Sequence, residues 1–119
     1  MNPFSLGAFV AALGVGLGAF GAHALRHLPA DRLGWWSTAT QYLFIAAFGI
    51  LFAGLRSTTD GRSWAVPGLF LAGVVLFSGS LYAMALGAPR WFGAITPLGG
   101  LSLIGAFVWL GVSAYSGVK

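Results

Sequence analysis

Cysteine and glutamate are both absent from this chain of 119 residues. Without cysteine there is no disulfide, no thiolate nucleophile and no iron–sulfur ligation, although its absence carries no message about compartment. Asp31 and Asp60 are the only carboxylate side chains, and charged residues make up 7% of the chain. Soluble domains carry about 25%, so a hydrated protein surface cannot be built from this composition. The net charge of +4 comes from single basic residues scattered between apolar runs. That pattern forms no basic patch, and nucleic acid is excluded as a partner.

What the chain has instead is apolar length. Hydrophobic residues make up 58% of it, in four runs that each reach the roughly 20 residues a membrane-spanning helix needs. No alternation in segments of about ten residues suggests an outer-membrane barrel. The expected fold is an all-α integral membrane protein, a four-transmembrane-helix bundle forming one domain over 1–119. Its helices fall at about 4–25, 36–55, 64–86 and 91–115. Ala22-His23-Ala24 has the small-x-small form of a signal-peptide cleavage site. No basic residue precedes the run and the run is long, so it reads as the first helix.

Gly7, Ala11, Gly14, Gly18 and Gly21 recur at steps of three and four and form one face of that helix. Gly14-xxx-Gly18 is a close-packing motif. Gly79, Gly99 and Gly100 are expected to allow similar approach in helices three and four. Trp35 and Trp36 read as an interface marker before helix two, and residues 58–61 (TTDG) as a turn. Pro67 falls in a first helical turn, where its missing N–H does little harm. Pro97 falls inside helix four, where a kink is expected.

Four crossings put both termini on one side of the membrane, side A. The first and third loops then lie on side B. The intramembrane polar residues gather toward B: His23, Gln41, Tyr42, Ser78, Ser80, Tyr82 and Thr96, followed by Pro97. Arg26 and Arg90 stand at the rim. Polar groups inside a membrane tend to face a bundle interior or a wet cavity, so these residues are candidates for one shallow pocket open to side B. A purely structural reading stands beside it. Tyrosines near an interface act as belt anchors, and serines bond back to their own helix.

Much chemistry is excluded. Asp31 and Asp60 fall in loops on opposite sides of about 30 Å of hydrocarbon, so they form no dyad. His23 and His27, spaced i and i+4, lack the carboxylate or thiolate help a metal site needs, and haem ligation by His23 lacks a partner. A Ser–His pair from Ser78 or Ser80 with His23 lacks an orienting acid. No cofactor, metal or catalysis is expected.

Residues 18–25 (GAFGAHAL), 76–82 (LFSGSLY) and 96–100 (TPLGG) together resemble the signatures of a small membrane-protein family, domain of unknown function 423, also called the transmembrane-protein-256 family. The resemblance covers nearly the whole chain and implies the same four-helix layout. It also implies a bacterial plasma-membrane location, with relatives in eukaryotes. In the family's second helix a tyrosine is often followed closely by histidine or glutamine. Here Tyr42 is followed by Leu43, and the usual histidine position reads Ala46.

Arg56, Arg62 and Lys119 on side A balance Arg26, Arg32 and Arg90 on side B. The positive-inside rule is therefore tied, and the resemblance tilts the expectation to cytoplasmic termini. The expected role is a non-catalytic accessory, scaffold or assembly subunit, partnered by the bilayer and by a homo-oligomer or larger membrane complex. The alternative is a transporter or binding protein for a small molecule or lipid, using the B-side pocket.

Overall fold

The computed structural model describes residues 2–56 and 64–115, the last two by their backbone alone. The turn expected at 58–61, with Asp60, Arg62 and Lys119, lies outside the described residues. Four helices follow in chain order: α1 (Pro3–His23), α2 (Ala30–Arg56), α3 (Ala65–Ala85) and α4 (Thr96–Tyr115), with a 3₁₀ turn at Arg90–Ala94 before the last. All four spans are long and apolar enough to cross a bilayer. Large apolar side chains such as Phe9, Leu13, Phe52, Val75, Leu101 and Ile104 point outward. A water-soluble monomer rarely exposes so much apolar surface; lipid is the solvent that fits.

Local sequence sets the helix ends. Asn2 caps α1 by accepting the Ser5 N–H at 2.8 Å, and Pro3 occupies the first turn, where its lack of an N–H is harmless. Helix two starts at Ala30, six residues before the expected position 36. Pro29 precedes it and Asp31 sits in its first turn, favourable to the helix dipole. Trp35 and Trp36 therefore lie within the helix. At 27 residues, α2 is about 40 Å long, and its first turns extend beyond the ends of its neighbours. Gly87, at φ +115°, closes α3 in a conformation that disfavours any side chain, and the Ala88 N–H turns back to the Ala83 carbonyl.

The kink expected inside helix four is not there. Residues Arg90–Ala94 tighten into 3₁₀ geometry and the α-helix begins afresh at Thr96. Pro97 thus occupies a first turn, where no α-type bond back to Gly93 is required. The regular helix begins five residues later than the expected 91.

Consecutive helices pack antiparallel, and the extensive contacts run α1–α2, α2–α3 and α3–α4. The largest buried cluster joins Val10 of α1, Leu43, Ala46, Ala47 and Ile50 of α2, Phe70 and Val74 of α3, and Leu103 and Ala106 of α4. Lipid tails are as apolar as these side chains, so burial alone gives little drive; close packing and interhelical hydrogen bonds must hold the helices. Gly7, Gly14 and Gly21 are buried against α2. A Cβ on Gly14 would lie 2.7 Å from Leu43, and one on Gly21 would overlap the Trp36 indole. Gly99 of α4 lies against the Phe77 backbone and the Gly73 carbonyl of α3, so closely that no Cβ fits.

Candidate functional site

Three helices meet at an aromatic and hydroxyl hub near the B end. The Trp36 indole lies under Gly21, where only hydrogen leaves room for it. Its Nε1 donates to the Leu17 carbonyl of α1 at 2.8 Å. The Tyr82 ring of α3 meets the indole edge-on at a centroid distance of 4.4 Å. Thr40, one turn after Trp36, lies 2.6 Å from the Tyr82 hydroxyl and 3.0 Å from the Trp36 carbonyl. A threonine hydroxyl has one proton. That proton goes to the carbonyl, so Tyr82 donates to Thr40.

A second relay ties α3 to α4. Ser80 donates to the Phe77 carbonyl at 2.9 Å and lies 2.5 Å from the Thr96 hydroxyl. The same proton count makes Thr96 the donor to Ser80. Ser78, fully buried, donates to the Ala39 carbonyl of α2 at 2.7 Å. Deeper toward side A, Ser102 donates to the Leu69 carbonyl at 2.9 Å. These hydroxyls join neighbouring helices, and their protons are committed.

Among the described residues the candidate pocket residues take up different places. Ser78, Ser80, Tyr82 and Thr96 fill interhelical contacts. The Tyr42 ring packs on Phe77 at 4.6 Å. His23, at the last turn of α1, is exposed, as are Arg26, Pro97 and Gln41. Of the candidate packing glycines, Gly18 and Gly100 leave room for a side chain: a Cβ on Gly18 would meet Thr40 in ordinary contact at 3.6 Å, and one on Gly100 would meet Phe77 at 3.7 Å. Gly79 is exposed, and a Cβ there would meet nothing within 4 Å. Trp36, Thr40, Gly73 and Ser102 are structural residues that sequence reasoning missed. A tryptophan and a threonine one turn apart, opposite a glycine pair at Gly18 and Gly21, were the available signal for the hub.

A cleft of about 370 Å³ opens to side B between the start of α2 and the end of α3. Asp31, Arg32, Trp35, Met84 and Arg90 line it, with Pro29. The Arg90 guanidinium lies 5.7 Å over the Trp35 ring, within cation–π range. It also lies 3.8 Å from the Asp31 carboxylate, in an exposed pair that adds little stability.

Fold and site together define a four-span α-helical membrane protein in which the hydroxyls of Thr40, Ser78, Ser80, Tyr82, Thr96 and Ser102 bond from helix to helix. Residues 17–100 match the family described as "Protein of unknown function (DUF423)", and the chain belongs to that family. It is 43% identical over 118 residues to the UPF0382 membrane protein YwdK of Bacillus subtilis, covering 92% of each chain. It is 42% identical over 113 residues to the UPF0382 membrane protein SH2409 of Staphylococcus haemolyticus, again over 92% of each. Against the UPF0382 inner membrane protein YgdD of Escherichia coli it is 39% identical over 105 residues, 84% of this chain and 79% of the other. No solved structure matches the chain significantly.

Proposed function

We propose that this chain is a non-catalytic accessory protein of the bacterial plasma membrane, a scaffold or assembly subunit with both termini cytoplasmic. One observation carries the reading: the hydroxyls of Ser78, Ser80, Tyr82 and Thr96 are spent on bonds between helices. A nucleophile or a transport site needs polar groups free to meet a substrate, and these hold the bundle together. Support for the location comes from the E. coli relative, whose name is that of an inner membrane protein. The test is a native mass spectrum of the gently extracted protein beside its His23→Ala variant. Multiples of 12.3 kDa, or a co-purifying protein, are expected. A reproducible small-molecule adduct that disappears with His23 would overturn the reading.

The B-side cleft favours a second reading, a binding protein for a lipid. Arg32 and Arg90 flank the cleft beside Trp35. Guanidiniums at interfacial depth suit the phosphate of a phospholipid headgroup. On this reading a phospholipid adduct is retained by the protein as purified and lost from Arg32→Gln and Arg90→Gln. Equal retention by all three proteins counts against it.

A further inference from the structure

Gln41 is the one carboxamide within the spans, and α2 holds it away from its neighbours. Helix α1 meets α2 at Trp36, Thr40, Leu43, Phe44, Ala47 and Leu51. Helix α3 meets it at Ala39, Tyr42 and Gly49. Gln41 is on neither flank; it is exposed and has no hydrogen-bond partner among the described residues. Its depth follows from the packing of α1, because Thr40 lies opposite Gly18 and Leu43 opposite Gly14. That puts Gln41 level with Leu17, six residues or about 9 Å below the B end of α1. A glutamine is too short to bring its amide to the surface from there.

A free amide in hydrocarbon has no water to bond and is costly. The deep hydroxyls of Thr40, Ser78, Ser80 and Ser102 all have partners within the chain. Gln41 needs its partner from outside. We propose that the outward face of α2 is a homodimer interface in which the Gln41 amides of two copies bond each other about a two-fold axis. The amide is donor and acceptor at once, so its own copy is its complement and no charge is buried. A two-fold axis brings a residue against itself. From Gln41 the same face continues through Ile45, Phe48, Phe52 and Leu55, in steps of four and three. That 3.5-residue spacing is the seam of a left-handed helix pair, and Phe48, Phe52 and Leu55 are exposed along it. The glycine stripe of α1 is no rival face, since α2 of the same chain already covers it. The interface does not depend on the accessory role.

The chain's lack of cysteine makes the test direct. Phe48→Cys, oxidised in native membranes with copper–phenanthroline, is expected to yield a species of twice 12.3 kDa. Leu101→Cys, on the exposed face of α4, is expected not to. Adding Gln41→Leu, an apolar change lipid tolerates, should weaken the Phe48→Cys dimer about tenfold. Native mass spectrometry of the unmodified chain beside Gln41→Leu repeats the measurement without cysteine. The proposal is overturned by a monomer in both assays, by a dimer indifferent to Gln41→Leu, or by a Gln41-dependent complex with a different protein.

Discussion

Tyr82 illustrates how one hydroxyl serves in a solvent that offers no hydrogen bonds. Its proton goes to Thr40, and the proton of Thr40 goes to the Trp36 carbonyl. Side-chain hydrogen bonds in membrane bundles contribute about 0.6 kcal/mol on average and up to about 1.7. Tyr82→Phe and Thr40→Val should therefore each destabilise the fold by about 1 kcal/mol, and the double variant by less than their sum. Denaturant titration in mixed micelles reads this directly; strict additivity would mean that the bond contributes nothing. Trp36→Phe should keep most of the ring packing and lose the bond to Leu17, again about 1 kcal/mol, by the same titration. Tyr82, Ser78, Ser80 and Thr96 stand out in the sequence as hydroxyls in apolar runs, and read there as candidates for a shallow pocket or as belt anchors and self-bonding serines. Which partner each takes was not legible. Ser78 answers to a backbone carbonyl at Ala39, and carbonyls are identical in every residue. Trp36 was hidden by its chemistry: an indole near a helix end reads as an interfacial anchor, and only tertiary packing turns its N–H inward.

At the scale of helices, close approach decides the order of packing. Gly99 and Gly73 face each other where α4 crosses α3, and a Cβ on Gly99 would enter the Phe77 backbone. Backbone cannot rotate aside, so Gly99→Ala must push α4 away and should destabilise the fold by about 1–3 kcal/mol. Gly111→Ala, where nothing lies within 4 Å, should be neutral or slightly stabilising through helix propensity. Thermal melts of the two variants in one detergent distinguish contact from composition. An equal loss in both would count against the packing argument. The four helices themselves were plain in the sequence, because apolar length is a strong signal. Their B ends were less so. Asp31 and Arg32 read as loop residues, yet a helix longer than the bilayer is thick carries charge in its protruding turns. Pro97 read as a mid-helix kink because nothing in Arg90–Ala94 announced a tighter helical turn. The α1 glycine stripe was legible as a packing face; that its partner is α2 emerged only from the close fit at Gly14 and Gly21.

For the whole molecule, the proposed pairing would link orientation to association. Gln41, level with Leu17, lies about 6 Å to the B side of Leu13, the middle of α1. Two copies inserted in opposite directions would hold their amides about 12 Å apart, beyond hydrogen-bond reach. Pairing through Gln41 therefore requires both copies to share one orientation. The balance of basic residues gives no preference for either orientation, with Arg56, Arg62 and Lys119 against Arg26, Arg32 and Arg90. Asn2→Cys and His27→Cys, labelled in intact cells with an impermeant maleimide, should report one sidedness: His27→Cys reacts and Asn2→Cys is protected. A poised balance should also be easy to tip. Ala88→Arg adds positive charge to the short third loop, and it should invert a measurable fraction of the copies. Those inverted copies cannot pair with upright ones, so the fraction of dimer should fall as the fraction of labelled Asn2→Cys rises. A dimer yield that holds constant while orientation becomes mixed would separate the two properties and show that association rests on some other contact.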